Sequence, residues 1–384
     1  MAFYWGNPLN WIRARRHLLA YVVDTTDSKR AEWVATQAAR FVGSEEFRLD
    51  VPELPEEFSF IVLGDTGEGD SSQMVVADRF LDEAADTAFS IIAGDVVYPS
   101  GRSADYRQKF YIPFRDYGRD IYAVPGNHDW YDELVGFMIH FCGNTHHRKH
   151  QERETIDETK LDDLRKIRRN RVVQPNMYFY IDTPHVRVVC LDTGIRGRID
   201  TEQEKWLARV SATPQPKILV LGKPIYVNGE HNDRLDNVND ILNKANYRLV
   251  IAGDTHNFQK YRVKVKTNGH DRFVWHLVNG GGGAYLVRTH TIPSANEMKL
   301  LGQAWSEPDD FECYPTRDQS RKFYSWWKEN APDWAVDRDR PPYHKSFVKV
   351  SVSASGLRVR VVEIDDFSKK ATSDLKQPEW TIPF

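Results

Sequence analysis

The chain is poor in the features that mark secreted, membrane-spanning and nucleic-acid-binding proteins. Only three of its 384 residues are cysteine, and they lie too far apart to form a CxxC pair. We therefore expect no disulfide scaffold and a cytoplasmic location. No stretch approaches the ~20 apolar residues of a membrane-spanning helix, and the N-terminus lacks the pattern of a signal peptide. The net charge of −3 gives no strong signal for nucleic-acid binding.

Residues 11–23 combine Trp, Ile, Leu and Val with three arginines. This composition leaves two interpretations open. The segment could form a helix on a membrane surface, which would make a membrane a peripheral partner. Alternatively, it could form a helix that packs on the folded domain.

Strand and helix patterns alternate from residue 58 onward, which is typical of an α/β fold. We divide the chain into an N-terminal helical extension (1–57), a main domain (58–366) and a C-terminal tail (367–384). Insertion 140–176 is expected to form a lid or a solvated helix, and insertion 287–343 to wrap the surface. Helices are predicted over 28–42, 70–86, 200–210 and 234–245. Strands are predicted at 186–191, 217–221, 248–252 and 273–278, with a hairpin of 346–352 and 357–364.

Four apolar runs end in glycine followed by an acid or an amide. Asp65, Asp95 and Asn127-His128 follow the first three runs, and Gly253-Asp254-Thr255-His256 follows the fourth. Each motif alone is compatible with a helix cap or a turn residue. Because parallel strands present their carboxyl ends at one edge of a sheet, the ordered set predicts a shared site there. Oxygen and imidazole donors in one place favour a metal centre.

These motifs resemble those of the calcineurin-like metallophosphoesterases, and most closely the purple-acid-phosphatase-type branch. The GDxG, GDxxY and GNH[DE] blocks of that branch correspond to residues 64–67, 94–98 and 126–129, within a match over about 58–283. The resemblance implies an α/β fold: a layered β-sandwich flanked by helices, with the metal site at the carboxyl ends of the strands.

The resemblance also implies an enzyme, a phosphatase or phosphodiesterase in which metal-bound hydroxide attacks phosphorus in line. Its cofactors would be two divalent or mixed-valence ions of Fe, Mn, Zn or Mg. Carried over to this sequence, the implied ligands are Asp65, Tyr98 and His256 for the first ion, Asp95 between both ions, and Asn127 for the second. His128 is implied as a catalytic residue beside Asp95, near the leaving group of the phosphoester.

Tyr98 has two possible roles, because Gly67 stands where many relatives carry a metal-binding histidine. A phenolate is a hard anionic donor that suits Fe(III), so Tyr98 could complete the ligand count. The alternative is a tyrosine that packs at a strand end.

Two departures from the family pattern concern the second ion. Gly222 stands at the usual place of a metal-binding histidine, and Asp254 replaces the first histidine of the GHxH block. Water, His231 or Lys223 could fill the vacant position. Lys223 would bring a positive charge, bind phosphate directly and give a single-metal enzyme. We expect a weak second site that retains Asn127 and Asp254 as ligands, and we expect Gly222→His to tighten it.

The predicted partner is a phosphorylated small molecule or another phosphoester. Basic residues of the segment 146–150, and Arg196 and Arg198, are candidates to hold its phosphates, but the composition favours a solvated surface over this role. The alternative function is that of a degenerate phosphoesterase, which binds a phosphorylated ligand or partner without turnover.

Overall fold

Two β-sheets stack face to face and carry helices on their outer sides. The computed structural model describes residues 23–41, 45–52, 54–145, 158–267, 270–294, 297, 310–330, 344–365 and 373–384. Segments 11–22 and 146–150, which carry sequence predictions, lie outside these ranges. None of the described helices is both long and apolar enough to cross a membrane.

The first sheet brings the three N-terminal strands together in parallel. β1 pairs with β2, and β2 with β3, both in parallel register, whereas β13 runs antiparallel to β1. The sheet consists of β1 (Phe58–Leu63), β2 (Phe89–Ala93), β3 (Asp120–Val124), β13 (Lys345–Ser353), β14 (Gly356–Ile364) and β15 (Glu379–Pro383), in the order β15-β14-β13-β1-β2-β3. The predicted C-terminal tail therefore supplies an edge strand, β15, which the sequence did not predict.

The second sheet has seven strands in the order β12-β10-β11-β9-β6-β5-β4. They are β4 (Phe179–Asp182), β5 (Arg187–Leu191), β6 (Lys217–Leu221), β9 (Tyr247–Ala252), β10 (Phe258–Thr267), β11 (His270–Asn279) and β12 (Phe311–Tyr314). β5, β6, β9 and β11 are parallel neighbours. A short ribbon of β7 (Tyr226–Val227) and β8 (Glu230–His231) follows β6.

The core confirms the layered arrangement. Within β1, Phe60 and Val62 pack with Val188 and Ile218 of the second sheet, while Ile61 belongs to a separate cluster beneath the helices. Alternate side chains of a strand point to opposite faces, so both faces of the first sheet are buried. The helices are α1 (Thr26–Arg40), α2 (Ser71–Glu83), α3 (Asn127–Trp130), α4 (Val135–His140), α5 (Glu158–Ile167), α6 (Thr201–Ser211), α7 (Asp236–Lys244) and α8 (Arg317–Asn330).

The N-terminal helix α1 buries a largely polar stripe. Its buried residues are Thr26, Arg30, Trp33 and Gln37, and the Trp33 indole donates to the Glu133 carbonyl over 2.9 Å. The periodicity of apolar residues does not predict that Arg30 and Gln37 are buried, because both are polar and their partners come from distant parts of the chain. These contacts fix the helix on the domain.

Both insertions contribute to the fold more than the sequence indicates. The side-chain amides of Asn170 and Gln174 bond the backbone of Ile121 and Ala123, and so cover the exposed edge of β3. The end of insertion 140–176 is therefore a buried edge cover rather than a lid, although α5 within it is largely solvated. In insertion 287–343, β12 pairs with β10 instead of wrapping the surface.

Candidate metal centre

Three aspartates mark the edge where strands of both sheets end. Asp65 and Asp95 follow β1 and β2 of the first sheet, and Asp254 follows β9 of the second. All three adopt left-handed backbone conformations, with φ of 60°, 47° and 73°. This conformation is uncommon for residues other than glycine, is best tolerated by Asp and Asn, and concentrates at functional sites.

Four side chains converge on one buried point. The Tyr98 hydroxyl lies 3.0 Å from Asp65 Oδ1, 3.0 Å from Asp95 Oδ2 and 3.0 Å from His256 Nε2. Ligand atoms of Asp65, Asp95 and His256 lie within 4.8 Å of one another. The structure thus brings together the residues that the sequence suggests for the first ion.

Backbone contacts fix the orientation of these side chains. His256 Nδ1 lies 2.8 Å from the Tyr285 carbonyl oxygen, which only accepts, so Nδ1 carries the proton and Nε2 presents its lone pair to the centre. The backbone N–H of Asp254 donates to Asp65 Oδ2 over 2.9 Å. Such contacts set the ring orientation and basicity of metal ligands.

The centre carries more buried negative charge than its own residues can neutralise. Burial, with the charges of Asp95 and Asp254, raises the pKa of Asp65 well above its usual range. Burial and the charges of Asp65 and Asp95 likewise raise the pKa of Tyr98, so its phenol stays protonated. Burial lowers the pKa of His256. Two carboxylates, an unprotonated imidazole and a phenol around one point fit a divalent or trivalent cation, because one hydroxyl proton cannot serve three acceptors.

Asn127 and His128 lie beside this centre at the start of α3. Asn127 Nδ2 donates to the Tyr131 hydroxyl over 2.9 Å, which leaves the amide oxygen as the group that can ligate a cation. His128 donates its backbone N–H to Asp95 Oδ1 over 2.8 Å, and its Nδ1 lies 2.7 Å from the Pro99 carbonyl oxygen. The proton therefore resides on Nδ1 in the neutral ring, whose centre is 4.3 Å from that of Tyr98.

Asp254 is engaged by a lysine instead of joining the first group. Lys223 Nζ forms a short ion pair with Asp254 Oδ1. Burial opposes the charge of Lys223, but Asp254, Asp95 and Asp65 outweigh it and raise the pKa of the lysine. The ammonium is therefore a permanent positive charge next to the predicted second metal position.

Glycine at positions 67 and 222 is required by close backbone packing. A Cβ atom at Gly67 would lie 2.0 Å from the Val96 carbonyl oxygen, and one at Gly222 would lie 2.6 Å from the Pro125 carbonyl oxygen. Real Cβ atoms do not approach a backbone oxygen so closely without a backbone shift. That Gly222→His tightens the second site stays a prediction, and the substitution requires a shift of the backbone at Pro125.

Comparison with known proteins agrees with this geometry. The family model for calcineurin-like phosphoesterases matches residues 58–258, which is more than half of the chain. The chain belongs to the calcineurin-like phosphoesterase family. A search of curated proteins gives no match.

A search of solved structures also finds similar chains. GAP50, the anchor in the inner membrane complex of Plasmodium, is 12% identical, with a TM-score of 0.53 over 86% of this chain and 89% of that one. Purple acid phosphatase PPD1 from yellow lupin is 15% identical, with a TM-score of 0.48 over 83% and 53% of the two chains. PhoD is 12% identical, with a TM-score of 0.45 over 84% and 69%. At these identities the likeness to GAP50 concerns the fold alone.

Three residues with sequence-based roles lie in other surroundings. His231 Nδ1 is 3.4 Å from Asp233 and 3.5 Å from Asp236, in an exposed cluster of its own. Arg196 and Arg198 form ion pairs with Asp24 before α1. The structure thus groups His231 with Asp233 and Asp236, and its role as a substitute ligand stays a prediction. The two arginines contact Asp24 before α1, and Arg198 also contacts Asp27 within it.

The sequence interpretation missed two buried carboxylates of this family member. Asp129 accepts hydrogen bonds from the backbone N–H groups of Val96, Val97 and Gly126, and so joins the second and third motifs. The final acid of the GNH[DE] block was the signal for it. Glu68 is 2% exposed, and its charge adds to the burial and aspartate effects that raise the pKa of Tyr98. A glutamate between two glycines gave no comparable signal.

Proposed function

We propose that this phosphoesterase-family chain is a metal-dependent phosphoester hydrolase. The convergence of Asp65, Asp95, Tyr98 and His256 on one buried point supports this proposal most strongly. A group of acceptors with excess negative charge is costly without a cation, and the family membership of the chain explains why such a group exists. Iron or manganese matches the hard oxygen donors, with Tyr98 as the ligand that would favour Fe(III).

A cation held by Asp65, Asp95 and His256 would supply positive charge to the phosphate and would lower the pKa of a nearby water, the source of the nucleophile. The chain contributes orientation and proton transfer. Asp95 is held by the backbone N–H of His128 and the hydroxyl of Tyr98, so its carboxylate has one fixed orientation. His128 has Nδ1–H committed to the Pro99 carbonyl, so the proton for the leaving oxygen would come from Nε2–H of the imidazolium, which returns to the neutral Nδ1–H ring.

A second candidate function is binding of a phosphorylated ligand without turnover. The ion pair between Lys223 and Asp254 favours it, because a carboxylate expected at the second metal position is already neutralised by an ammonium. A site with one cation and one lysine could hold phosphate firmly and still lack the second ion that the family uses for hydrolysis.

Metal analysis, together with an assay on generic phosphomonoesters and phosphodiesters, tests these functions. We expect the wild type to bind metal and hydrolyse at least one substrate class. Asp95→Asn should lower turnover by on the order of 10²–10³-fold or more, with an unchanged melting temperature. The exposed Asp116, whose side chain is 66% exposed, offers a matched control in Asp116→Asn.

Each outcome separates the alternatives. Full activity in Asp95→Asn would exclude the hydrolytic mechanism. Tight binding of inorganic phosphate by metal-loaded wild type, with no turnover of any ester, would establish the binding function in its place. Loss of activity in Asp116→Asn would show that the assay responds to general damage.

A further inference from the structure

The ion pair between Lys223 and Asp254 is built into the edge of the first metal position. Asp254 uses its backbone N–H to hold Asp65 Oδ2 and its carboxylate to hold the ammonium of Lys223. Asp254 thus links Asp65, a proposed ligand of the first ion, directly to the positive charge of Lys223.

The backbone around Lys223 is also held in place. Its N–H donates to the Thr193 hydroxyl over 3.0 Å, and the preceding Gly222 packs against the Pro125 carbonyl with no space for a side chain. The lysine side chain nevertheless remains 18% exposed and that of Asp254 28% exposed. The lysine side chain is therefore held in position and is only partly covered by the rest of the chain.

Electrostatic repulsion by the Lys223 ammonium argues against a second metal ion at Asp254. A cation that used Asp254 would have to displace the ammonium or lie beside it, and two positive charges at contact distance repel each other strongly. The position that relatives fill with histidine cannot supply a donor, since it is Gly222. Of the donors proposed for the second ion, Asp254 is paired with an ammonium, whereas the described contacts of Asp95 and Asn127 are to hydroxyl and backbone N–H groups.

We propose that the Lys223 ammonium replaces the second metal ion and binds an oxygen of the substrate phosphate, so that the chain holds one metal ion at this centre. Asp254 is then a positioning residue for the lysine. This inference rests on the proposed phosphoesterase function and deepens it. A lysine provides one positive charge and directional N–H donors, which suffice to orient a phosphate oxygen.

Metal stoichiometry and phosphate affinity test the inference without reference to turnover. The full-length protein, cleared of metal, is titrated with Mn²⁺ by calorimetry, and then with inorganic phosphate at saturating Mn²⁺. The variants are Lys223→Met, which keeps the apolar stem without the charge, and Asp254→Asn. Lys205→Met is the control, because Lys205 is 60% exposed and pairs only with Glu202 of its own helix among the described contacts. His231→Ala identifies any Mn²⁺ bound by the exposed cluster of His231, Asp233 and Asp236.

We expect one Mn²⁺ at the centre in the wild type and in Asp254→Asn. Lys223→Met should weaken phosphate binding about tenfold or more, the size expected for a lost hydrogen bond to a charged group, while Lys205→Met leaves it unchanged. A second Mn²⁺ that appears in Lys223→Met would support the inference further, because it would show that the lysine blocks that position.

Two Mn²⁺ ions at the centre of the wild type, loss of one ion in Asp254→Asn, or unchanged phosphate affinity in Lys223→Met would each overturn the inference. A different result would contradict the proposed function. No Mn²⁺ bound at the centre, with no effect of Asp95→Asn on any activity, would contradict the metal-dependent hydrolase itself.

Discussion

Asp65 and Asp192 are both fully buried and both follow a central strand, yet their surroundings are opposite. Asp192 Oδ2 accepts from Arg30 Nε over 2.7 Å, and its Oδ1 accepts from the Trp130 indole over 2.8 Å and from the Gly194 backbone over 2.9 Å. Asp65 has a hydroxyl and a backbone N–H as donors, and the charges that shift its pKa are carboxylates.

This difference separates a structural carboxylate from a functional one. The donors around Asp192 satisfy it within the chain, and they tie α1 and α3 to β5. Asp65 accepts hydrogen bonds but lies among groups that repel its charge, so the folded state alone leaves this charge uncompensated; the site is unsatisfied in this sense. Buried groups whose charges repel one another are expected at ligand-binding sites, where the bound ligand compensates the charge.

The largest effect on stability should come from breaking the satisfied site. Arg30→Met would leave Asp192 as an uncompensated buried charge, at a cost of about 3–5 kcal/mol in the free energy of unfolding. Denaturant unfolding measures this loss. Lys29→Met is the neighbouring control, because Lys29 pairs with the partly exposed Glu32 and Glu133 and should change stability by about 1 kcal/mol or less. Equal losses in both variants would contradict the distinction.

Removing the charge of Asp65 should have the opposite sign in metal-free protein. Its folded-state pKa is raised, so the folded chain binds a proton more readily than the unfolded chain. The ionised carboxylate therefore destabilises the fold as pH rises from about 4, the unfolded value, through the raised folded pKa. Asp65→Asn should raise the melting temperature by a few degrees at pH 7 and change it little at pH 4.

Replacing Asp192 by asparagine should have the opposite effect on stability. Asp192→Asn should lower the melting temperature at pH 7, because it removes the partner of Arg30. Added Mn²⁺ should stabilise the wild type and Asp192→Asn but not Asp65→Asn, since a ligand that binds the folded state shifts the unfolding equilibrium. A lower melting temperature for metal-free Asp65→Asn at pH 7 would contradict the view that this carboxylate is unsatisfied.

The fold was largely accessible from the sequence because periodicity and strand-end motifs are local signals. The hairpin predicted at 346–352 and 357–364 corresponds to β13 and β14, and the helix predicted at 200–210 corresponds to α6. Strand β15 and the edge cover of Asn170 and Gln174 were missed, since their pairing depends on contacts with distant segments. Polar residues that replace a neighbouring strand have no periodic pattern of their own.

The first metal position was equally accessible, because its donors each follow a recognisable strand. The second position was not. The ion pair of Lys223 and Asp254 joins residues 31 positions apart, and the sequence leaves water, His231 and Lys223 open as the group at the vacant position. Packing explains why Gly222 is required, whereas the pattern alone suggests only that a ligand is missing.

The finest test concerns Tyr98, which contacts Asp65 in the unsatisfied site but stays protonated without a cation. Fe(III) loading should convert its phenol to a ligated phenolate and produce a visible charge-transfer band. Tyr98→Phe should abolish the band and weaken metal binding moderately, because Asp65, Asp95 and His256 remain. If oxidised, iron-loaded wild type shows no such band, Tyr98 is a packed hydrogen-bond donor and the cation relieves the carboxylates alone. The sites of Asp65 and Asp192 would then differ because Asp192 has the Arg30 guanidinium as a partner, and not because Tyr98 supplies a phenolate ligand.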